Sequence, residues 1–340
     1  MTELPSSLRG RVLVAGAGVS GRGCVAMLAG LGVDTTVADS NETALAELAE
    51  EFGVATVSVD SAAQGDFDLV VTSPGWRPDS PLLVALQDAG VEDIGDVELA
   101  YRLDRAGVFG ASRTWLVVTG TNGKTTTTGM LAQIMQADAN RTGKRALAVG
   151  NIGVSLFDAL TATPRVDVLC AELSSFQLHW SSQLRPDVGV LLNLAEDHLD
   201  WHGSFDAYAQ AKAKVLDGQA AVVGKDDAAA VRYAENTANL YGFTAAEPAE
   251  SEVGVSAGRL LSRLAQERED LASAEGIEPA GLAGVLDAAA AASVARLAGA
   301  SPRSIAQGLA AQGPDVQDFK ALPGRGVQAE VGGATVVLGN

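Results

Sequence analysis

Basic residues are scarce in this sequence of 340 residues, and their scarcity argues against two classes of partner. Twenty-four lysines and arginines stand against 42 aspartates and glutamates, which gives a formal net charge of −18. Proteins that wrap nucleic acid or lie on anionic lipid need clustered Lys and Arg. We therefore expect no nucleic-acid partner and no membrane partner, whereas a small anionic ligand held by local groups is compatible with this charge.

Cysteines and long apolar runs are also few. Cys24 and Cys170 lie far apart, each inside an apolar run, so we interpret both as core residues and expect a reducing compartment. The first ten residues lack the pattern of a secretion signal, and no segment reaches the roughly 18 apolar residues of a membrane span. These absences predict a soluble, cytoplasmic protein.

Short apolar runs alternate with helical stretches along the chain. Hydrophobic residues make up 47% of the sequence, enough for two well-buried cores. Alternation of this kind is typical of βαβ units, so the predicted fold class is α/β with a mostly parallel sheet. The predicted strands cover residues 11–15, 35–38, 69–72, 115–119, 166–171, 188–192 and 220–223.

Two breaks in this pattern divide the chain. The periodicity is lost across residues 104–113, and a cluster of Gly and Pro indicates a second linker across residues 311–324. We therefore expect a first domain at 1–110, a second at 111–321, and the start of a third at 322–340.

Two further segments have a clear pattern. Residues 286–297 are nearly all Ala, Val and Leu, which predicts a buried helix of the second domain. Residues 326–331 and 334–338 are strand-like runs on either side of Gly332-Gly333, which predicts a hairpin.

The strongest chemical signal is a glycine-rich loop between a predicted strand and a predicted helix. Its glycines let backbone amides turn towards a phosphate chain, and the following helix N-terminus adds partial positive charge. Lys124 would reach the outer phosphates and Thr125 would ligate Mg²⁺. Two residues separate the glycines here, whereas four separate them in the general P-loop, so the motif is a variant of that loop. The alternative, a Gly-rich turn that binds no phosphate, would leave the Gly-Lys-Thr sequence unexplained. The predicted phosphate-binding residues are Gly120, Thr121, Asn122, Gly123, Lys124, Thr125 and Thr126.

A second glycine loop, Gly16-Ala-Gly-Val-Ser-Gly21, follows the first predicted strand. Asp39 lies about 20 residues further on, where the dinucleotide fingerprint places the acid that meets a ribose hydroxyl. Three interpretations stay open for this loop. It binds NAD, it binds another nucleotide-like ligand such as a UDP diphosphate, or it is a tight turn that binds nothing.

Chemically active side chains also follow two later strands. Glu172 comes at the end of one strand, where ligands gather in open α/β sheets, and its carboxylate suits Mg²⁺. The next strand is followed by acids and His198. Considered alone, His198 is better explained as a satisfied loop histidine than as a ligand, and His179 and His202 are interpreted in the same way. Lys212 and Lys214 would normally be solvated charges, and nothing in the sequence distinguishes one from the other.

Four motifs in order resemble the Mur ligases, the ATP-dependent amide ligases of peptidoglycan precursor synthesis. The N-terminal Gly-x-Gly-x-Ser-Gly loop, Ser73-Pro-Gly75 and Gly95-Asp-Val-Glu-Leu99 are most similar to the branch of the family that adds D-glutamate. The likeness runs from about Leu8 to the last residue. The four motifs are Gly120-Thr-Asn-Gly-Lys-Thr125, Gly150-Asn-Ile-Gly153, Glu172-Leu-Ser-Ser-Phe-Gln-Leu178 and Asn193 followed by Glu196-Asp-His-Leu-Asp200.

The resemblance implies three domains. They are an N-terminal Rossmann-like domain for the UDP substrate, a central P-loop-type ATPase domain, and a C-terminal Rossmann-like domain that is absent from these 340 residues. It implies a monomer that joins D-glutamate to UDP-N-acetylmuramoyl-L-alanine. ATP first converts the substrate carboxylate to an acyl phosphate, which the amine of D-glutamate then attacks. Because the missing domain supplies the D-glutamate site, we expect residues 1–340 alone to be inactive or impaired.

The resemblance also assigns roles residue by residue. Lys124, Glu172, His198 and Lys212 would be catalytic. Thr125 and Glu172 would hold one Mg²⁺, while His198 and a carbamylated Lys212, which follows the His198 motif in Tyr208-Ala-Gln-Ala-Lys212, would hold a second. Asn151, Ser174 and His198 would contact the muramoyl substrate. The uracil and diphosphate pocket would be lined by Val19, Ser20, Asp39, Ser40 and Ser73.

The sequence departs from the family pattern at the expected adenine site. Asp287 stands where the family has an adenine-binding Asn, so it can accept from the adenine amino group but cannot donate to the ring nitrogen. The family's His-Arg pair is Gly324-Arg325 here, which keeps the arginine expected to reach the ATP phosphates. Two other functions are compatible with the sequence. They are a non-catalytic two-domain protein that binds a nucleotide or UDP-sugar, and an NAD-dependent dehydrogenase that rests on the first glycine loop alone.

Overall fold

A computed structural model describes residues 4–310, 316–322, 326–331 and 334–338, and for the last three ranges only the course of the backbone. A 3₁₀ helix over Ser6–Leu8 precedes a sheet of five parallel strands in the order β3-β2-β1-β4-β5. The central strands β1 and β4 are buried apolar runs, because helices cover a parallel sheet on both faces. The strands are β1 (Val12–Ala15), β2 (Thr35–Ala38), β3 (Ala55–Val57), β4 (Leu69–Thr72) and β5 (Glu92–Gly95), and the helices are α1 (Val19–Gly30), α2 (Glu42–Phe52), α3 (Val59–Ala62), α4 (Pro81–Asp88) and α5 (Asp96–Arg105).

The second sheet has nine strands in the order β14-β13-β12-β11-β10-β9-β6-β8-β7. Pairing is parallel from β7 to β12 and antiparallel from β12 to β14, which confirms the predicted mostly parallel α/β architecture. The strands are β6 (Thr114–Thr119), β7 (Ala146–Gly150), β8 (Val168–Glu172), β9 (Val188–Leu191), β10 (Ala220–Gly224), β11 (Leu240–Phe243), β12 (Glu252–Ser256), β13 (Arg259–Ser262) and β14 (Glu269–Ser273).

Helices cover the second sheet. The predicted buried helix is confirmed as α12, whose alanines pack against the sheet and against α6; it begins at Leu282, four residues before the predicted start. A short 3₁₀ helix, Lys214–Asp217, precedes β10. The helices are α6 (Lys124–Thr142), α7 (Leu156–Thr161), α8 (Ser175–His179), α9 (Leu199–His202), α10 (Phe205–Ala213), α11 (Ala228–Ala234), α12 (Leu282–Leu297) and α13 (Pro302–Ala310).

Buried polar contacts connect the two sheets. The Asp104 carboxylate accepts hydrogen bonds from the Arg113 backbone N–H at 2.9 Å, from Arg113 Nη1 at 2.8 Å and from Trp115 Nε1 at 2.9 Å. The Gly95 N–H at the end of β5 donates to the Trp180 carbonyl at 3.0 Å. A buried carboxylate with three donors is well satisfied, so this junction is a stable one. The domain boundaries predicted near residues 110 and 321 stay predictions.

Three antiparallel strands follow in the order β15-β16-β17: β15 (Val316–Leu322), β16 (Gly326–Val331) and β17 (Ala334–Leu338). The two strands of the predicted hairpin are therefore confirmed, and Gly332-Gly333 lies outside the described residues. The prediction of a linker across residues 311–324 is wrong for residues 316–322, which form a strand. The Gly and Pro residues stand at the two ends of that segment, and the residues Val316–Leu322 between them form β15.

Both cysteines are buried free thiols, which confirms their interpretation as core residues. Among the residues that the structure describes, no helix combines the length and apolarity needed to cross a bilayer.

Candidate active site

The phosphate loop joins β6 to α6 at the carboxyl edge of the second sheet. Gly123 has a φ of +83°, a conformation that glycine adopts without strain. Helix α6 then begins at Lys124, and no side chain caps it. The amide N–H groups of its first turn are therefore available to an anion, and the helix dipole favours one there.

Residues from neighbouring elements hold this loop in place. The Asn122 N–H donates to Asn193 Oδ1 at 2.9 Å, and Asn193 Nδ2 donates to the Asn122 carbonyl at 3.0 Å. The Thr121 and Tyr208 hydroxyls lie 2.8 Å apart. Sequence reasoning gave neither Asn193 nor Tyr208 a role of its own, because a contact across 71 or 87 residues has no local signal.

Glu172 ends β8 directly beside the loop. Glu172 is buried, with only 1% of its surface exposed. Its Oε2 accepts a hydrogen bond from Thr125 Oγ1 at 2.9 Å, and its Oε1 accepts one from Asn151 Nδ2 at 2.8 Å. Three predicted site residues therefore meet at one carboxylate. Its oxygens and the Thr125 hydroxyl are hard donors of the kind that Mg²⁺ prefers.

Lys212 is the buried lysine of the site, with 2% of its surface exposed. Its Nζ donates to the Gly120 carbonyl at 2.8 Å and lies 5.0 Å from the centre of the Tyr208 ring. Burial, together with the nearby Lys124 charge, lowers the pKa of Lys212 to about 7, against the opposing pull of Asp197 and Glu172. A large fraction of this amine is therefore neutral at physiological pH.

Lys214, two residues later, has a different surrounding. Its Nζ donates to three carbonyl oxygens, those of Leu178, His179 and Ser181, at 2.7 to 3.0 Å. It caps the end of α8 and closes a turn, which is a structural role. The fold thus separates two lysines that the sequence could not distinguish.

His198 lies at the mouth of the site in a left-handed backbone conformation, with a φ of 49°. Its ring centre is 4.7 Å from that of Phe176, and its Nε2 is 3.4 Å from Asp197 Oδ2. His202 stacks on Phe176 and its Nε2 lies 2.9 Å from Ser175 Oγ. Burial lowers the pKa of His202 to about 4, so that ring is neutral and packs as part of the aromatic cluster.

A cleft of about 720 Å³ extends from the phosphate loop to the first sheet. It brings together Lys124 and five predicted substrate residues. Asp96 also lines it, and sequence reasoning gave that residue no role; burial raises the pKa of its carboxyl group, while a hydrogen bond from Ser20 acts in the opposite direction. Its position directly after β5 is the signal that would have found it. The five are Val19, Ser20, Asn151, Ser174 and His198.

The other three predicted uracil-pocket residues lie elsewhere. Asp39 and Ser40 line a separate cavity of about 540 Å³. Asp39 Oδ2 accepts from the Ala17 N–H at 2.6 Å, so it supports the first glycine loop. Ser73 Oγ is buried beneath Gly16, where a Cβ on the glycine would lie 2.6 Å from it.

Asp287 lies near the start of helix α12, beside the phosphate loop. Its Oδ1 accepts from Thr127 Oγ1 at 3.1 Å, and a Cβ on Gly123 would lie 2.3 Å from the same oxygen. Burial raises the pKa of Asp287 to about 6, although the Thr127 hydrogen bond opposes this. Arg325, the other predicted ATP contact, lies outside the described residues.

Two family models match this chain. Residues 118–264 match the Mur ligase middle domain, and residues 10–95 match the MurD-like N-terminal domain of Mur ligases. A UDP-N-acetylmuramoylalanine–D-glutamate ligase of Corynebacterium jeikeium is 45% identical over 348 residues, which cover 95% of this chain and 67% of that protein. The chain belongs to the Mur ligase family. Its match to the MurD-like domain identifies the branch.

Further comparisons agree with this assignment. The ligase of the same name from Corynebacterium diphtheriae is 58% identical over 311 residues, or 89% of this chain. The chain spans about 65% of the length of that relative. A crystal structure titled as the UDP-N-acetylmuramate:L-alanyl-gamma-D-glutamyl-meso-diaminopimelate ligase of Neisseria meningitides superposes with a TM-score of 0.56 at 16% identity. The superposition covers 89% of this chain and 98% of the Neisseria chain. At 16% identity this likeness supports the fold alone.

Proposed function

We propose that this chain is the UDP-substrate and ATP part of a ligase that joins D-glutamate to UDP-N-acetylmuramoyl-L-alanine through an acyl phosphate. One observation carries the proposal. The phosphate loop, Glu172 and Lys212 meet near one end of a cleft whose other end is lined by residues that follow the strands of the first sheet. A substrate bound along the cleft would therefore present its reacting end to a triphosphate on the loop.

The protein's own part in the first step is to position groups and neutralise charge. Transfer of a phosphoryl group needs little covalent help from the enzyme, since the barrier comes from alignment and from repulsion between anions. Lys124 Nζ lies 3.0 Å from the Thr121 carbonyl, across the loop on which the phosphates would lie. The first-turn amides of α6 would hold the remaining phosphate oxygens.

The residues present fit Mg²⁺. Thr125 and Glu172 would hold one ion, and His198 with a carbamylated Lys212 would hold the second. No three His, Cys, Asp or Glu side chains gather as a metal site within the described part of the chain, so phosphate and water would supply most ligands. Bound Mg²⁺ would supply charge stabilisation for the transferring phosphoryl group.

The neutral fraction of Lys212 would permit its carbamylation. An unprotonated amine attacks carbon dioxide, a new N–C bond forms and the amine proton leaves, so a cation becomes an anion. Burial of Lys212 beside Gly120 and Tyr208 provides the unprotonated amine. We place this chemistry, with a monomeric protein, in the cytoplasm, where nucleotide-linked precursors are made.

The decisive experiment is calorimetric titration of a polypeptide of residues 1–340. We expect binding of UDP-N-acetylmuramoyl-L-alanine and of Mg-ADP. UDP-N-acetylglucosamine, which lacks the lactyl and alanyl groups, is the matched control and is expected to bind at least about 10-fold more weakly, because it cannot reach Asn151 and Ser174. Equal affinity for the two UDP-sugars would contradict the assignment.

A second measurement addresses turnover. We expect no phosphate release from this polypeptide with ATP, the muramoyl substrate and D-glutamate, because the resemblance places the D-glutamate contacts in a third domain. Phosphate release that requires both substrates would contradict that expectation while supporting the ligase assignment.

A further inference from the structure

The side chain of His202 touches the first turn of α8 through two different contacts. Its Nε2 lies 2.9 Å from Ser175 Oγ, and only 2% of the Ser175 surface is exposed. Its ring is stacked on that of Phe176, with 5.6 Å between the ring centres and 4° between the planes. One imidazole therefore contacts two consecutive residues of this helix, and Phe176 also lines the cleft.

The backbone of His202 closes the turn that begins at His198. The His202 N–H donates to the His198 carbonyl at 3.0 Å, and the Trp201 N–H donates to the same oxygen at 3.1 Å. The left-handed conformation of His198 is unfavourable for a residue with a Cβ and persists only where the surrounding structure holds it. Helix α9 is a single turn of four residues, so the contacts that its side chains make with α8 hold it in place.

His198 has few contacts of its own. Its side chain is 48% exposed, its Nε2 is 3.4 Å from Asp197 Oδ2, and its ring centre is 4.7 Å from that of Phe176. Phe176 is therefore in contact with two imidazoles, that of His198 and that of His202. The position of the half-exposed His198 ring depends on its turn and on Phe176, and His202 contacts both.

The surroundings of the His202 ring also define its tautomer. A neutral imidazole carries one N–H group. Nδ1 is buried and has no partner among the residues that the structure describes. A proton on Nε2 is donated to Ser175 Oγ, whereas a proton on Nδ1 would be buried without an acceptor. The geometry therefore favours the Nε2–H tautomer.

We propose that His202 is a positioning residue, which holds His198 towards the substrate by bonding its turn to the start of α8. The hydrogen bond to Ser175 is the contact that fixes this position, because a hydrogen bond is directional whereas a stacked ring can slide over its neighbour. The proposal rests on the proposed function, in which His198 contacts the muramoyl end of the substrate.

The first test is NMR of the imidazole rings in the 340-residue chain, which has three histidines to label with ¹⁵N. We expect His202 to show the Nε2–H tautomer. In Ser175→Ala, the ring signals of His198 should shift or broaden, because its turn loses its attachment to α8. Ser6→Ala, the same change at an exposed position, is the matched control and should leave those signals in place. A proton on Nδ1 of His202, or unmoved His198 signals in Ser175→Ala, would overturn the proposal.

The second test is calorimetric titration with UDP-N-acetylmuramoyl-L-alanine and with UDP, which lacks the muramoyl and alanyl groups. His202→Phe keeps the stacked ring but loses the hydrogen bond. It should weaken binding of the muramoyl substrate about 10-fold while UDP affinity stays within about twofold. His202→Gln, whose side-chain amide can take the place of Nε2–H, should recover most of the loss. His179→Phe, at another imidazole of the aromatic cluster, is the control and should change neither affinity.

A double variant tests the hydrogen bond itself. Ser175→Ala and His202→Phe remove the same bond from its two ends, so the double variant should lose no more than about twofold beyond either single variant. Additive losses in the double variant would overturn the proposal. An equal loss of UDP affinity in His202→Phe would do the same, because it would indicate general damage to the fold.

The two tests separate this proposal from the proposed function. Equal affinity of the wild-type chain for UDP and for the muramoyl substrate would contradict the proposed function. The NMR comparison of wild type with Ser175→Ala would then still decide whether His202 positions His198. The same comparison decides the question if His202→Phe does not fold.

Discussion

The two glycine loops of this chain have the same arrangement of strand, loop and helix, but they differ in the charged side chains around them. Each follows a buried parallel strand and leads into a helix that no side chain caps. In the first loop, Asp39 accepts from the Ala17 N–H and so supports the turn. In the second, Lys124 opens the helix, and buried acids bond its first two turns.

This difference shows that glycine spacing determines the shape of a loop, while side chains from other strands determine what the loop holds. The NAD interpretation of the first loop needs Asp39 free to meet a ribose. One of its oxygens is instead 2.6 Å from a backbone N–H of the loop. The comparison therefore favours a triphosphate site at the second loop, and at the first loop a group that backbone amides hold without a nearby lysine.

The largest effect is expected from Lys124→Met. Lys124 is the first residue of α6 and the cation of its first turn. Its loss should weaken Mg-ATP binding about 100-fold, because a charge-assisted contact to phosphate is lost. UDP affinity should stay within about twofold if the first loop is independent. Titration calorimetry measures both, and Lys144→Met, on an exposed lysine, is the control. An equal loss of UDP affinity would remove the distinction between the loops.

A structural change in the first loop comes next. A Cβ on Gly21 would lie 1.8 Å from the Gly16 carbonyl oxygen, so Gly21→Ala should destabilise the fold by about 1 to 3 kcal/mol. Thermal unfolding measures the loss. Gly30→Ala in the same helix meets no atom within 4 Å and should be neutral or stabilising. Equal midpoints for the two variants would contradict the tight packing of this turn.

Asp39→Asn should have a smaller and local effect. The amide oxygen still accepts from Ala17, but the charge that strengthens the bond is gone, so we expect about a fivefold loss of UDP affinity with unchanged ADP affinity. Asp34→Asn, at an exposed position before β2, serves as the control. A parallel loss of ADP affinity would show that the loops are coupled.

The smallest effect concerns pH. The folded chain holds a proton on Asp287 more tightly than the unfolded chain, because burial raises the pKa to about 6. Stability from this group is therefore gained as the pH falls from about 6 to about 4 and is absent above 6. Urea unfolding at several pH values should show this gain in the wild-type chain and its absence in Asp287→Asn. Parallel pH curves for the two chains would contradict the assignment.

Sequence patterns predicted seven central strands to within two residues, because buried strands are apolar runs that turn residues interrupt. They are β1, β2, β4, β6, β8, β9 and β10. The patterns missed the strands at the outer positions of the two sheets, namely β3, β5, β7 and β11 to β14. They also placed Glu172 and the phosphate loop together, since both follow parallel strands. The separation of Lys212 from Lys214 depended on tertiary burial, and the contacts of Asn193 and Tyr208 span too much sequence for a local pattern.

The junction between the sheets has a consequence for substrate choice. Asp104 and the Gly95 to Trp180 hydrogen bond fix the two sheets to each other, so the span from Ser20 to Lys124 is a constant of the fold. The cleft between them therefore has a fixed length between Ser20 and Lys124. Under the proposed function, a substrate anchored at one end would be selected by its length, since one that is a single residue too short or too long would present its carboxylate away from the phosphate loop.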